Sequence, residues 1–142
     1  MQSAEFTIPG EAKAKARPRF AKGSGRTYTP KTTLYYENLV KMSFMEQCKA
    51  WQITDKPCAA VISAFFPIPK STTKARKALM QLDKIKPTRK PDLDNIAKSI
   101  LDSLNGIAWQ DDSQIVNIWI SKHYDVEPHT EVTLFEVDTC QQ

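Results

Sequence analysis

"KPDLDNIAKSILDSLN", residues 90–105, is the stretch on which the fold turns. Wound at helical pitch, Ile96, Ala97, Ile100, Leu101 and Leu104 fall on an arc of about 140°. That pattern predicts an amphipathic helix, approached through Pro91, capped by Asp94 and running to about Leu104. Its other face gathers Asp94, Lys98, Asp102 and Asn105 within about 80°. Before it, "AAVISAFF" (59–66), set between Pro57 and Pro67, reads as a short buried strand. After it, Ile115 to Tyr124 and Glu131 to Val137 alternate apolar and polar residues and read as two further strands. These are expected to pair as a hairpin across Asp125 to Thr130. Glu5 to Ile8 reads as a first strand. A helix from a Thr32 or Thr33 cap to about Ala50 uses Leu34, Leu39, Val40 and Met42 as apolar positions. A basic helix, Ser71 to Leu82, takes Ser71 or Thr72 as its cap. The expected fold class is α/β (α+β mixed): a small mixed β-sheet packed with helices, in a single domain over residues 1–142. A flexible basic arm or loop is expected at about 11–29, around Gly23-Ser24-Gly25.

Composition narrows the functional classes. The 142 residues, 41% apolar and 25% charged, are ordinary for a globular domain able to bury a core. No apolar run approaches the roughly 18 residues of a membrane span, and Met1 to Ile8 is not a secretory signal. Cys48, Cys58 and Cys140 fit neither a disulfide framework nor a zinc site, and His123 and His129 have no ligand spacing. A cytoplasmic protein with reduced thiols is expected.

The net charge of +4 conceals a division. Residues 1–31 carry seven cations against Glu5 and Glu11, and residues 70–90 carry eight against Asp83. Residues 91–142 reverse the balance, with ten carboxylates against Lys98 and Lys122. Such a split predicts a polyanion held by the basic segments and a separate task for the acidic one.

Asp92 and Asp94 flank the start of the helix, and Asp111 and Asp112 follow in "WQDDSQI", with Trp109 burying that turn. The plain reading is a helix cap and a solvated turn. The alternative is a cation site, since hard divalent ions take oxygen ligands from a few carboxylates together with water and phosphate. A calcium loop fails, because Ile96, Ala97 and Ser103 stand where an oxygen ligand, Gly and Glu are required. A phosphotransferase aspartate at a strand end also fails, because "KPTRKP" precedes Asp92 in place of an apolar run.

"KPDLDNIAKSILDSLNG" with "WQDDSQI", preceded by "IPGEAKAKARPRF", "TYTP" and "YYE", resembles the RusA-type Holliday junction resolvases over nearly the whole chain. One departure is Gly10-Glu11-Ala12, where many members have Gly-x-Pro. The resemblance implies a small α/β nuclease, active as a homodimer, that uses Mg²⁺ (with Mn²⁺ as a substitute) to cut branched, four-way DNA. It implies a bacterial, prophage or phage origin and a part in DNA recombination and repair. It matches the family's metal-binding carboxylates to Asp92, Asp94 and Asp112, and its functional lysine to Lys98. Phosphate contacts are expected from Lys13, Lys15, Arg17, Arg19, Arg26, Lys86, Arg89 and Lys90, and base stacking or core packing from Phe20 and Tyr28. Asp111 is expected to assist or to sit in a solvated turn. The competing readings are a nuclease for flaps or other branched DNA, and a DNA-binding protein without activity.

Overall fold

A computed structural model describes residues 1–15, 19–20, 23, 25–28 and 30–140. Strands β1 (Ser3–Pro9), β2 (Arg19–Phe20) and β3 (Thr27–Tyr28) precede helix α1 (Lys31–Gln47). Strand β4 (Cys58–Pro67) is followed by α2 (Lys74–Gln81) and α3 (Leu93–Ser103), then by β5 (Ile115–Asp125) and β6 (His129–Glu136). The main sheet has the order β1-β6-β4-β5, with β4 parallel to β5 and β6 antiparallel to both β1 and β4. The α+β class and the mixed sheet are as the sequence predicts. Strands β2 and β3 form a separate two-stranded ladder inside the expected arm.

The predicted hairpin does not form, because β4 lies between β5 and β6. Two interstrand steps amount to about 10 Å, which the three residues Val126 to Pro128 span without difficulty. The most apolar strand thereby gains a ladder on both sides. Residues 58, 60, 62, 64 and 66 of β4 are buried beneath the helices. They meet Phe6 and Ile8 of β1, Val132 and Leu134 of β6, Val40 and Phe44 of α1, and Ile96 and Ile100 of α3. The parallel β4–β5 pair requires a crossover, and α2 and α3 are carried on it.

Three helix starts differ from expectation. Helix α1 begins at Lys31 behind Pro30, whose carbonyl accepts from the Thr33 and Leu34 amides at 3.1 and 3.2 Å. Its buried stripe is Thr33, Tyr36, Val40, Ser43 and Phe44, leaving Leu34 and Met42 exposed. The Phe44 ring meets Phe6 edge-on at 5.5 Å, and an aromatic contact of that kind outweighs the apolar count that favoured Leu34. Helix α2 is capped by Thr73, which accepts from the Arg76 amide at 3.3 Å. Helix α3 has Asp92, not Asp94, at its N-cap position.

Candidate functional site

Helix α3 lays its apolar face on the sheet and turns its acidic face outward. Ile96, Ile100 and Leu104 are fully buried, while Asp92, Asp94 and Lys98 are exposed. Although Asp92 occupies the cap position, its side chain makes no capping hydrogen bond. Among the described residues it meets only Lys90, at 3.2 Å. Capping therefore does not account for this carboxylate. It does account for Asp111, which accepts from the Ser113 amide at 3.0 Å in a reciprocal capping box with Gln114. The Ser113 side chain, followed by the Ser113 amide, holds the Asp111 carboxyl below the usual range. Asp111 is thus engaged in capping its turn, and the Asp112 carboxylate is not part of that capping box.

Asp112 turns toward the far end of α3. Its Oδ1 accepts from Asn105 Nδ2 at 3.3 Å, and the Asn105 Oδ1 accepts from Trp109 Nε1 at 2.9 Å. Trp109 is fully buried, so the indole fixes the amide and the amide fixes the carboxylate. Burial pushes the Asp112 carboxyl above its usual range, and the facing Asp102 adds to the effect. Asp102 is in turn held by Lys15 Nζ at 2.9 Å, with Glu37 3.8 Å from the same ammonium. The bond to Asp102 raises Lys15 above the ordinary lysine range.

The structure thus brings Asp112 to Asp102, Asn105 and Lys15. It leaves Asp92 and Asp94 at the other end of the helix, Asp94 being eight residues or about 12 Å of rise from Asp102. Among the described residues, no three His, Cys, Asp or Glu side chains converge closely enough to hold a metal ion. The carboxylate oxygens of Asp102 and Asp112 nevertheless suit a hard divalent cation. Two carboxylates facing each other also form a pair that a cation would relieve. Side chains on a helix lean toward its N-terminus, so Asp102 leans toward the turn that carries Lys98. Lys98 has no carboxylate within 4 Å among the described residues, which removes the intrahelical ion pair as its explanation.

The basic segments meet beside the helix start. Lys13, Arg89 and Lys90 line one open cleft of about 420 Å³ together with Glu11, Phe66 and Pro91. Lys86 is tied to Asp83, whose carboxyl also meets His123 at 2.9 Å. Arg26 is exposed. Arg17 lies outside the described residues, as do the side chains of Arg19, Phe20 and Tyr28. Asn105 and Asp102, which Asp112 faces, were not among the residues that the resemblance matched to the site. Their signal was present in the shared face with Asp94 and Lys98, but nothing in the pattern indicated that Asp112 would return to them.

Residues 9–135 match the family described as Endodeoxyribonuclease RusA, which covers most of the chain. The chain belongs to this family. Its members are hydrolases acting on DNA, and the acidic face of α3 beside a basic cleft is consistent with that chemistry. The chain is also 33% identical over 141 residues to the uncharacterized protein YqaN of Bacillus subtilis (strain 168), covering 96% of this chain and 99% of that one. Among the described residues, no helix is long and apolar enough to cross a membrane.

Proposed function

We propose that this family member is a Mg²⁺-dependent, structure-selective endonuclease that resolves four-way DNA junctions by paired, symmetric nicks in recombination and repair. The observation that carries the reading is the acidic face of α3 with Asp112, set beside the cleft lined by Lys13, Arg89 and Lys90. A DNA-binding protein without activity would have little use for exposed, uncapped carboxylates next to phosphate.

In this reading Asp92, Asp94 and Asp112 hold the divalent cation. Among the described residues, the one ion pair made by Asp92 or Asp94 is that of Asp92 with the exposed Lys90. A divalent cation held by these residues, Mg²⁺ or Mn²⁺ in its place, would supply water activation and charge neutralisation at the scissile phosphate and its departing 3′ oxygen. Lys98, one turn beyond Asp94, contacts that phosphate or orients the water. Asn105 and Trp109 keep the Asp112 carboxylate aimed, and Lys15 offsets the charge of Asp102. Lys13, Arg89 and Lys90 guide the backbone in, with Arg26, Lys86 and the remaining arm cations extending the contact. A junction has approximate two-fold symmetry, so a homodimer supplies one site to each of two opposed strands.

Replacing Asp94 by Asn tests the assignment. Metal-dependent cleavage is expected to vanish while junction binding holds or strengthens, because one negative charge facing phosphate is gone. Wild-type cleavage by Asp94→Asn would remove Asp94 from the site. A gel comparing a mobile junction, a flap and a linear duplex separates this substrate from the other branched forms.

A further inference from the structure

Near its start, helix α1 presents a ring that core packing does not use. Tyr35 is 73% exposed, whereas its neighbour Tyr36 is buried. Both line an open pocket of about 580 Å³, together with Leu39 of α1 and Pro9 at the end of β1. Gly10 follows with a φ of 83°, a left-handed turn that favours glycine, and carries the chain along the pocket to Glu11 and Lys13. The walls are thus largely ring and aliphatic carbon, as in sites for small organic groups, which are mostly apolar with few polar atoms.

Two observations say what such a pocket would take. Glu11 and Lys13 also line the cleft of Arg89 and Lys90, so the pocket and the basic cleft adjoin. Lys13 and Lys31, both exposed, border the pocket with two cations against the single carboxylate of Glu11. An apolar cavity with that charge balance favours a flat apolar group carried on a polyanion.

We propose that this pocket receives one unpaired nucleobase, stacked on Tyr35, from the DNA strand whose phosphates occupy the cleft. Every base has a π-face, so an aromatic ring accepts any of the four, and the tyrosine hydroxyl can stay in water. The energy balance makes the pocket selective for structure. Inside a duplex a base must be unpaired and unstacked before it enters, and one aromatic partner does not repay that cost. At a branch point the pairing is already interrupted, and most of the gain is kept. The inference rests on the DNA-cleaving reading above and adds to it a reason for choosing branched over linear DNA.

Binding of the full chain to a mobile four-way junction and to a linear duplex, followed by fluorescence anisotropy in EDTA, tests the pocket. Tyr35→Ala is expected to bind the junction about tenfold more weakly and the duplex as the wild type does. Tyr35→Phe, which keeps the ring, is expected to match the wild type on both. An unaltered junction-to-duplex ratio in Tyr35→Ala overturns the proposal and assigns the pocket to an occupant other than DNA. Should Tyr35→Ala lose the wild-type circular dichroism spectrum, the wild type alone decides, on a junction with abasic nucleotides at the exchange point. Binding about tenfold weaker than to the intact junction supports the pocket, and equal binding overturns it. A wild type that binds neither DNA overturns the pocket together with the function proposed above. A Tyr35-dependent preference in a chain that cuts no junction with Mg²⁺ supports the pocket and contradicts the catalytic reading alone.

Discussion

Asp112 owes its orientation to two neighbouring side chains, Asn105 and Trp109. The buried Trp109 indole donates to Asn105, and Asn105 donates to Asp112. Trp109→Phe keeps most of the ring volume but removes the donor, leaving the Asn105 oxygen without its partner. A loss of about 1–3 kcal/mol is expected in denaturant unfolding, together with reduced cleavage at saturating DNA. An unchanged stability and rate would show that the indole only fills space. At this scale the sequence was partly legible. The one-face spacing of Asp94, Lys98, Asp102 and Asn105 follows from helical geometry alone. The turn that carries Asp112 back to Asn105 and Asp102 depends on Trp109 packing, and the Lys15 contact spans 87 residues, so neither leaves a periodic trace.

The elements were more legible than their edges. Helix α3 follows from its 3.6-residue apolar stripe, and β4 from a short run bounded by prolines. What the pattern missed was decided by tertiary contacts. The aromatic packing of Phe44 buries the Tyr36, Val40 and Phe44 face of α1, and the need of β4 for two neighbours separates β5 from β6. Strand β6 is anchored in turn by Glu136, a buried carboxylate that accepts from the Gln2 amide and from Thr54 Oγ1, both at 2.9 Å. The Gln2 amide bond, followed by Thr54 and Lys56, holds its pKa below the usual glutamate range. A depressed folded pKa stabilises the fold above the ordinary glutamate pKa, and that contribution is lost as pH falls through the folded value. Glu136→Gln is therefore expected to cost about 1.5–3 kcal/mol at neutral pH and to flatten the acid limb of the stability curve. Thermal melts from neutral to acidic pH check both, and an unaltered acid limb would contradict the role given to Glu136.

Across the whole molecule, the division of charge read from the sequence becomes spatial. Basic stretches some 75 residues apart meet in the cleft of Lys13, Arg89 and Lys90, and the acidic helix face begins beside it. If these cations neutralise phosphates, the logarithm of affinity falls with the logarithm of salt by about 0.9 for each contact on duplex DNA. Arg89→Ala is expected to reduce that slope by about 0.9 and to weaken binding alike on junction and linear DNA. An unchanged slope would move the contact surface away from this cleft. The claim on which the rest depends is that the carboxylates of α3 and the following turn serve phosphodiester cleavage. It is tested most directly by incubating the purified chain with a mobile four-way junction, with and without Mg²⁺. Paired nicks in opposed strands, appearing only when the metal is added, are the expected result. A junction left intact in both Mg²⁺ and Mn²⁺ would contradict it.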